Sequence, residues 1–293
     1  KNFFIKGDIG NQNTVLNNKL LELFKINPHK VKFLNTNFNS KSKFSFLIDK
    51  KFNIKNLILE SDIQLNEADY KVSNFSNNYF EIKNNIVKLK NHKIKFNIKN
   101  NKKTINGSGK IKIQENFDDV KYNISLKDKD FNSNSQLILS KLKLNSQDYL
   151  KNFITNSDNP TILKDQKIDI NLKNKELIIK GQGKIKLDND LEDLKFKVSK
   201  IENKFNFDTQ IDLDQTSFKI DFFNFIKNNK SKTQIKILGS YESENSLIFE
   251  NLSIIDKNNS FILKKIYLDK NNLIEKLDEA NLEFLDIQNK RNN

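Results

Sequence analysis

The chain has 293 residues and a formal net charge of +14, from 51 basic and 37 acidic side chains. It has no cysteine, which excludes disulfides, thiolate metal sites and a cysteine nucleophile. Apolar residues make up only 36% of the chain, yet 24 phenylalanines set it apart from disordered proteins. This composition predicts a folded protein with thin layers and much surface.

The positive charge does not by itself indicate nucleic acid. Lysines are scattered along the whole length, and Arg291 is the only arginine, the residue that reads phosphate and guanine in a bidentate manner. No stretch approaches the roughly 18–20 apolar residues of a membrane span. The chain begins at Lys1 and lacks methionine, so we expect residues 1–293 to be a fragment of a longer protein.

Apolar residues recur at every second position over most of the chain, which is the period of a strand with one apolar face. Clusters rich in Asn, Asp and Lys, such as 99–103, 127–130 and 227–232, predict the turns between strands. The alternation predicts strands at 44–48, 52–58, 94–98, 111–113, 120–126, 194–198, 205–213, 218–222, 235–237, 247–254 and 261–268.

Three segments depart from this alternation. Residues 14–28 place leucines and a phenylalanine at helical spacing, with Thr14 as the N-cap and Pro28 beyond the end. Residues 145–154 show a similar apolar side, and we expect a helix there too. For 271–285 we predict a short helix followed by a strand.

A long internal repeat organises the middle of the chain. Residues 105–125 and 179–199 are identical at nine of 21 positions, and 90–139 and 164–213 are identical at 19 of 50, with a period of 74. Each copy predicts four strands separated by turns. Repetition of this kind indicates supersecondary units that need neighbours to bury their apolar faces.

Each copy carries a Gly-x-Gly inside a strand: Gly107 and Gly109 in the first, Gly181 and Gly183 in the second. These pairs lack the third glycine, the helix and the downstream acid of a dinucleotide site. Glycine within a strand instead predicts a bulge, a bend or a close approach of another group.

Strands with one dry and one wet face must bury the dry face in a sandwich, a barrel or a curled groove. With only seven glycines and two prolines for turns, we predict a mainly β fold: an elongated, curled antiparallel sheet forming a repeating, open β-groove, with one to three short helices. Its apolar lining would suit acyl chains. The candidate lining residues are Ile94, Phe96, Ile98, Ile111, Ile113, Tyr122, Ile124, Leu126, Ile168, Ile170, Ile185, Leu187, Phe196, Val198, Phe205, Phe207, Ile211, Leu213, Phe218 and Ile220.

Residues with catalytic or metal-binding chemistry are sparse. His29 and His92 are the only histidines, and we interpret them as loop and turn residues. The acidic run 187–193 could hold Ca²⁺, but it lacks the glycine and terminal glutamate of an EF-hand loop, so we expect a solvated turn. No nucleophile-elbow sequence is present. We therefore expect no enzyme, no metal and no cofactor.

Three stretches resemble the AsmA-like bacterial envelope family, the relatives of AsmA, TamB and YhdP, and are most similar to its YhdP-type branch. The resemblance covers roughly residues 90–270, and in the last stretch Gly239 takes the position of the strand glycine. The stretches are INGSGKIKIQENFDDVKYNIS, IIKGQGKIKLDNDLEDLKFKVS and IKILGSYESENSLIFENLSI.

The resemblance implies a protein anchored in the inner membrane of a Gram-negative bacterium that crosses the periplasm. Such proteins carry phospholipid towards the outer membrane along a hydrophobic groove, without covalent chemistry. Contacts with both membranes would use other parts of the chain. Two alternatives from the residues stay open: a structural or adhesin-like β-repeat protein with a closed core, and a basic nucleic-acid-binding module.

Overall fold

The computed structural model of this chain describes residues 2–16, 32–72, 80–145, 161–187, 190–220, 225–227, 231–242, 247–269, 273–285 and 291–292. Nearly all of them lie in strands. The strands are β1 (Phe3–Leu16), β2 (Phe33–Ile48), β3 (Ile54–Lys71), β4 (Ile86–Lys99), β5 (Lys102–Lys112), β6 (Phe117–Lys127), β7 (Asp130–Lys143), β8 (Ile162–Lys173), β9 (Glu176–Leu187), β10 (Asp190–Ile201), β11 (Lys204–Leu213), β12 (Phe218–Ile220), β13 (Phe225–Lys227), β14 (Thr233–Glu242), β15 (Leu247–Ile255), β16 (Ser260–Leu268), β17 (Ile274–Leu285) and β18 (Arg291–Asn292).

The strands follow one another in the sheet in chain order. The order runs from β1 to β11, continues with β14 to β17, and ends with the two-residue β18. Neighbouring strands whose pairing is resolved are antiparallel. The short strands β12 and β13 pair with each other in a separate hairpin. The predicted mainly β fold with a large, open antiparallel sheet is therefore confirmed.

The chain divides into two compact units. The first comprises Lys1–Ile138 with Asn171–Asn174, and the second comprises Leu139–Ile170 with Lys175–Asn293.

In the first unit, the strand alternation sorts side chains onto two different faces. A transverse row on one face pairs Phe96, Ile105 and Ile124 across β4, β5 and β6. The adjacent row on the other face pairs Lys95, Asn106 and Asn123 across the same strands. Because side chains alternate along each strand, one face is apolar and the other is polar. We refer to them as the dry face and the wet face.

The 74-residue sequence repeat corresponds to four strands in each copy. Strands β4–β7 form the first copy and β8–β11 the second, and the first and third turns of each copy lie at positions offset by 74. Left-handed backbone conformations recur at the same offset. The matching pairs are Asn91 with Asp165, Asn100 with Asn174, and Asp128 with Glu202.

The structure contradicts one helix prediction and describes only part of the other two predicted segments. The helix expected at the start of 271–285 is wrong, because residues from Ile274 onwards form β17. Of the helix predicted at 14–28, residues 14–16 instead end β1, and 17–28 lie outside the described residues, as do 146–154. Within the described ranges, a single 3-10 turn at Lys83–Asn85 is the helical structure present.

The second unit contains a hydrophobic core that the β12–β13 hairpin helps to build. Phe218 and Phe225 from this hairpin pack with Phe261, and the rings of Phe225 and Phe261 lie 4.7 Å apart. The core consists of Ile185, Leu187, Leu194, Leu213, Phe218, Phe225, Phe261 and Phe284.

Candidate functional site

The dry face of the first unit gathers most of the lining residues predicted there. Ile94, Phe96 and Ile98 follow one another on β4, and two of them continue as transverse rows. Phe96 aligns with Ile105 and Ile124, and Ile94 with Gly107 and Tyr122. The predicted lining residues of this unit are all half-buried: Ile94, Phe96, Ile98, Ile111, Ile113, Tyr122, Ile124 and Leu126.

In the second unit, the predicted lining residues divide into two groups. Four of them are fully buried in the core described above: Ile185, Leu187, Leu213 and Phe218. Phe218 lies in the β12–β13 hairpin, and Ile220 is in the same strand. The rest are half-buried on their strands: Ile168, Ile170, Phe196, Val198, Phe205, Phe207 and Ile211. The apolar face is thus covered near the hairpin and more accessible elsewhere in this unit.

Four of the strand glycines lie beneath the ring of a phenylalanine or tyrosine. Four cross-strand pairs share this arrangement, and a side chain on any of these glycines would collide with the ring. A ring that lies over glycine shields the backbone and takes up the missing volume. The close-approach interpretation thus describes Gly107 and Gly181. The pairs are Gly7 with Phe44, Gly107 with Tyr122, Gly181 with Phe196, and Gly239 with Phe207.

The second glycine of each Gly-x-Gly accommodates a buried polar side chain. Gly109 lies under His92, and Gly183 lies under Gln166, the residue 74 positions later. His92 Nε2 is 2.9 Å from the Lys110 carbonyl oxygen, and Gln166 Nε2 is 2.7 Å from that of Lys184. The interpretation of His92 as a turn residue is therefore wrong. A left-handed residue just before it, Asn91, forms a bulge that turns His92 inward.

His92 makes a second contact that fixes its tautomer. Its Nδ1 is 3.2 Å from the hydroxyl of Tyr122, and because a carbonyl only accepts, Nε2 carries the proton and Nδ1 accepts from the tyrosine. Burial lowers the pKa of His92, and the bond to the Lys110 carbonyl opposes this only in part. The neutral form of the imidazole is therefore favoured.

We predict that His92→Gln folds and loses a pH dependence of stability. Gln166 shows that an amide fits the equivalent place. The pKa of His92 is lower in the folded protein than its ordinary value of 6.5. Below pH 6.5 the unfolded chain therefore binds more protons than the folded protein does. Wild-type stability should therefore fall as pH drops below about 6.5, and the variant should lack this component. Urea denaturation of both proteins at pH 7.5 and 5.5 measures it. An unchanged stability difference at the two pH values would contradict the prediction.

The acidic run 187–193 contains an anchor, Glu192, which lies in β10. Glu192 is buried and accepts three backbone N–H bonds, from Asp214 at 2.8 Å, Gln215 at 2.9 Å and Thr216 at 2.6 Å. Burial raises the pKa of Glu192, but these donors outweigh it and hold the pKa below its ordinary value. Its carboxylate thus fixes the segment that leads from β11 into the β12–β13 hairpin. The expected solvated turn does not describe this residue.

Lys227 completes the anchor from the hairpin side. It is buried, and its ammonium donates to the Thr216 carbonyl at 2.8 Å. Burial lowers its pKa, which the charges of Glu192 and Asp214 partly counteract. In the first copy the position equivalent to Glu192 is Asp118, which is also buried. Sequence reasoning missed these residues, although an acid repeated at a fixed offset was the available signal.

A cavity of about 780 Å³ crosses β1 to β5 in the first unit. It touches Gly107, whose dry side is covered by the Tyr122 ring, yet Tyr122 is not part of its wall. Its walls combine wet-face side chains, among them Lys93, Lys95 and Asn106, with Ile63 and Ile94, and Ile94 belongs to the apolar rows.

The described ranges lack two further features. They contain no group of three or more His, Cys, Asp or Glu placed to hold a metal. No helix among them is both long and apolar enough to span a bilayer. His29 and residues 188–189 of the acidic run lie outside those ranges. The predicted absence of an enzyme activity stays a prediction.

No family model matches the chain, and neither a curated protein nor a solved structure matches it. The resemblance to AsmA-like envelope proteins therefore rests on the quoted stretches and stays a hypothesis.

Proposed function

We propose that this chain binds phospholipid acyl chains along its dry face and belongs to a non-enzymatic lipid-transport protein of the bacterial envelope. The observation that carries the proposal is the pair of apolar rows in the first unit, built from Ile94, Phe96, Ile105 and Ile124. Their side chains are half-buried within the described part of the chain. A contiguous apolar surface of this kind is typical of an interaction site, whereas single exposed apolar residues are ordinary on protein surfaces.

Acyl chains fit the chemistry of this face. Each methylene moved from water onto such a surface contributes about 0.8 kcal/mol, so detachment into water would be slow. The rows offer aliphatic and aromatic contacts. They contain no polar pocket that would restrict binding to a ligand of one shape. A lipid could therefore shift along the face with little change in contact, as passive transport requires.

The surroundings of the dry face suit a charged headgroup. Lys103 lies in the same transverse row as Ile98 and Leu126, and it is exposed. Its ammonium would attract a phosphate while the acyl chain lies on the neighbouring rows. The resemblance to AsmA-like proteins agrees with this assignment and suggests the periplasm of a Gram-negative bacterium, between inner and outer membranes.

A structural β-repeat protein is the second candidate, and one observation favours it. The second unit buries Leu213, Phe218, Phe261 and Phe284 against its own hairpin, so this part of the apolar face forms a closed core. A protein that used all its dry faces in this way would carry no lipid. The two candidates therefore predict different lipid contents.

We predict that Ile124→Asp removes bound phospholipid. The charge would lie in the middle of the apolar rows, where it is incompatible with acyl contact. The matched control is Asn123→Asp, which places the same group one residue away on the exposed wet face. Protein purified without detergent is extracted with organic solvent, and phospholipid per chain is counted by mass spectrometry.

The wild type and Asn123→Asp should retain lipid, whereas Ile124→Asp should not. Circular dichroism checks that both variants keep their strands, and Ile94→Asp serves as a second dry-face variant. Folded wild-type protein without lipid would favour the structural candidate.

A further inference from the structure

One end of the first unit combines exposed apolar side chains on both faces of the sheet. Phe52 lies in the turn between β2 and β3 and is 86% exposed, and Ile54 beside it is 60% exposed. The start of β1 lies at the same end, because Phe3 pairs with Ile48. Phe3 and Phe4 point to opposite faces and are 65% and 67% exposed. We call residues 49–55 the β2–β3 tip.

The β2–β3 tip is held in a fixed shape. The Asp49 carboxylate accepts from the backbone N–H groups of Lys51 at 2.9 Å and Asn53 at 3.0 Å. Lys55 forms an ion pair with it at 3.0 Å. The backbone N–H of Asn53 has the largest effect and the Lys55 ammonium the next largest, and together they hold the pKa of Asp49 far below its ordinary value. The carboxylate therefore stays charged.

Within the tip that Asp49 holds together, Phe52 has a left-handed backbone with a φ of 60°. For a bulky residue this conformation is strained, and such strain tends to persist where function requires it. Asparagine or glycine would satisfy the turn better. An exposed phenylalanine in an unfavourable conformation at the outermost point of a hairpin therefore needs a reason outside the folding of the turn.

The same end of the sheet is strongly basic. Antiparallel order places the β2–β3, β4–β5 and β6–β7 turns together at this end. Residues 49–55, 99–103 and 127–130 contain eight lysines and three aspartates. Basic side chains thus surround the apolar tip.

We propose that the β2–β3 tip docks onto an anionic lipid bilayer, with Phe52 inserted at the interface and the surrounding lysines against the headgroups. A protein partner would cover one side of the tip, whereas here apolar residues extend from both sheet faces. An apolar insertion combined with a basic rim is the two-part signal that stable membrane binding needs. The inference rests on the tip alone and stands whether or not the dry face binds lipid.

Fluorescence tests this directly, because the chain has no tryptophan. Phe52→Trp supplies a single reporter, and vesicles of phosphatidylcholine with phosphatidylglycerol should shift its emission to shorter wavelength. Pure phosphatidylcholine and high salt should weaken the response. The matched control is Phe117→Trp, an exposed phenylalanine at the opposite end, which should show no shift.

Vesicle co-sedimentation gives the second measurement. Phe52→Asn suits the left-handed turn, so the fold should be kept, while the vesicle partition coefficient should fall roughly ten- to a hundredfold. Phe117→Asn should bind like the wild type. Equal binding by all variants, or no emission shift with anionic vesicles, would overturn the proposal. An emission shift that appears without vesicles when the protein concentration is raised would also overturn it. Phe52→Asn should also retain extractable phospholipid, which separates this result from the outcome for Ile124→Asp.

Discussion

Replacing Glu192 with alanine is expected to lower the free energy of unfolding by about 3–5 kcal/mol. The change removes a buried carboxylate that accepts from Asp214, Gln215 and Thr216, and it leaves those three N–H groups without their acceptor. It also removes the negative charge that does most to counteract the burial of Lys227. Hydrogen bonds to charged groups contribute about 1.5–3 kcal/mol each, so the loss of two of the three bonds already accounts for a change of this size.

The neighbouring Asp193 provides the matched control. It is exposed and forms an ion pair with Lys184 at 2.7 Å. Exposed pairs contribute about 0–1 kcal/mol, so Asp193→Asn should change stability little. Guanidinium denaturation of both variants measures the difference. Similar stabilities for the two would show that the β11–β12 segment does not depend on Glu192.

The same anchor predicts a response to acid. The pKa of Glu192 is lower in the folded protein than its ordinary value of 4.5, so its contribution is complete above that value. As pH falls through 4.5 towards the folded pKa, the unfolded chain takes up the proton first and stability declines. The Glu192→Ala variant should lack this part of the acid dependence.

Gly183→Ala is the second change with a large expected effect. A methyl group there would lie 2.7 Å from the backbone oxygen of Asp165 and 2.6 Å from Gln166 Nε2. Asp165 has a left-handed backbone, and Gln166 is fully buried, so neither group moves freely. Overpacking of this kind typically costs about 1–3 kcal/mol.

Gly10→Ala is the contrasting substitution in another strand. A methyl group at Gly10 would meet only the Ser40 carbonyl oxygen, at an ordinary 3.6 Å. The change should be neutral or stabilise by up to about 1 kcal/mol, because alanine restricts the unfolded chain. Thermal and urea denaturation of the two variants test the pair. Equal effects would mean that the close approach at Gly183 does not constrain the fold.

Much of the fold could be predicted from the period of the apolar residues. The alternation at Ile94, Phe96 and Ile98 reports one sheet face directly, and the turn clusters mark the hairpins. The repeat also predicted four strands per copy. These features are local, and local periodicity is what a sequence records most plainly.

The errors have long-range causes. His92 follows a bulge that changes the alternation by one residue, and only the pairing with β5 shows that it points inward. Glu192 was expected to be solvated, because the backbone N–H groups that donate to its carboxylate lie more than 20 residues away along the chain. In 271–285 a short helix was expected before a strand, but pairing with β16 makes the segment a strand from Ile274 onwards. Each outcome depends on a partner that the local pattern does not contain.

The four-strand size of the repeat has a consequence for how such a chain can change in length. Four is an even number, so a copy inserted or deleted returns the backbone to the same direction and the next side chain to the same face. Strands that pair in chain order need no distant partner to be rearranged. Gene segments of 74 codons could thus be gained or lost as whole building blocks, and the width of the sheet would grow or shrink in fixed steps.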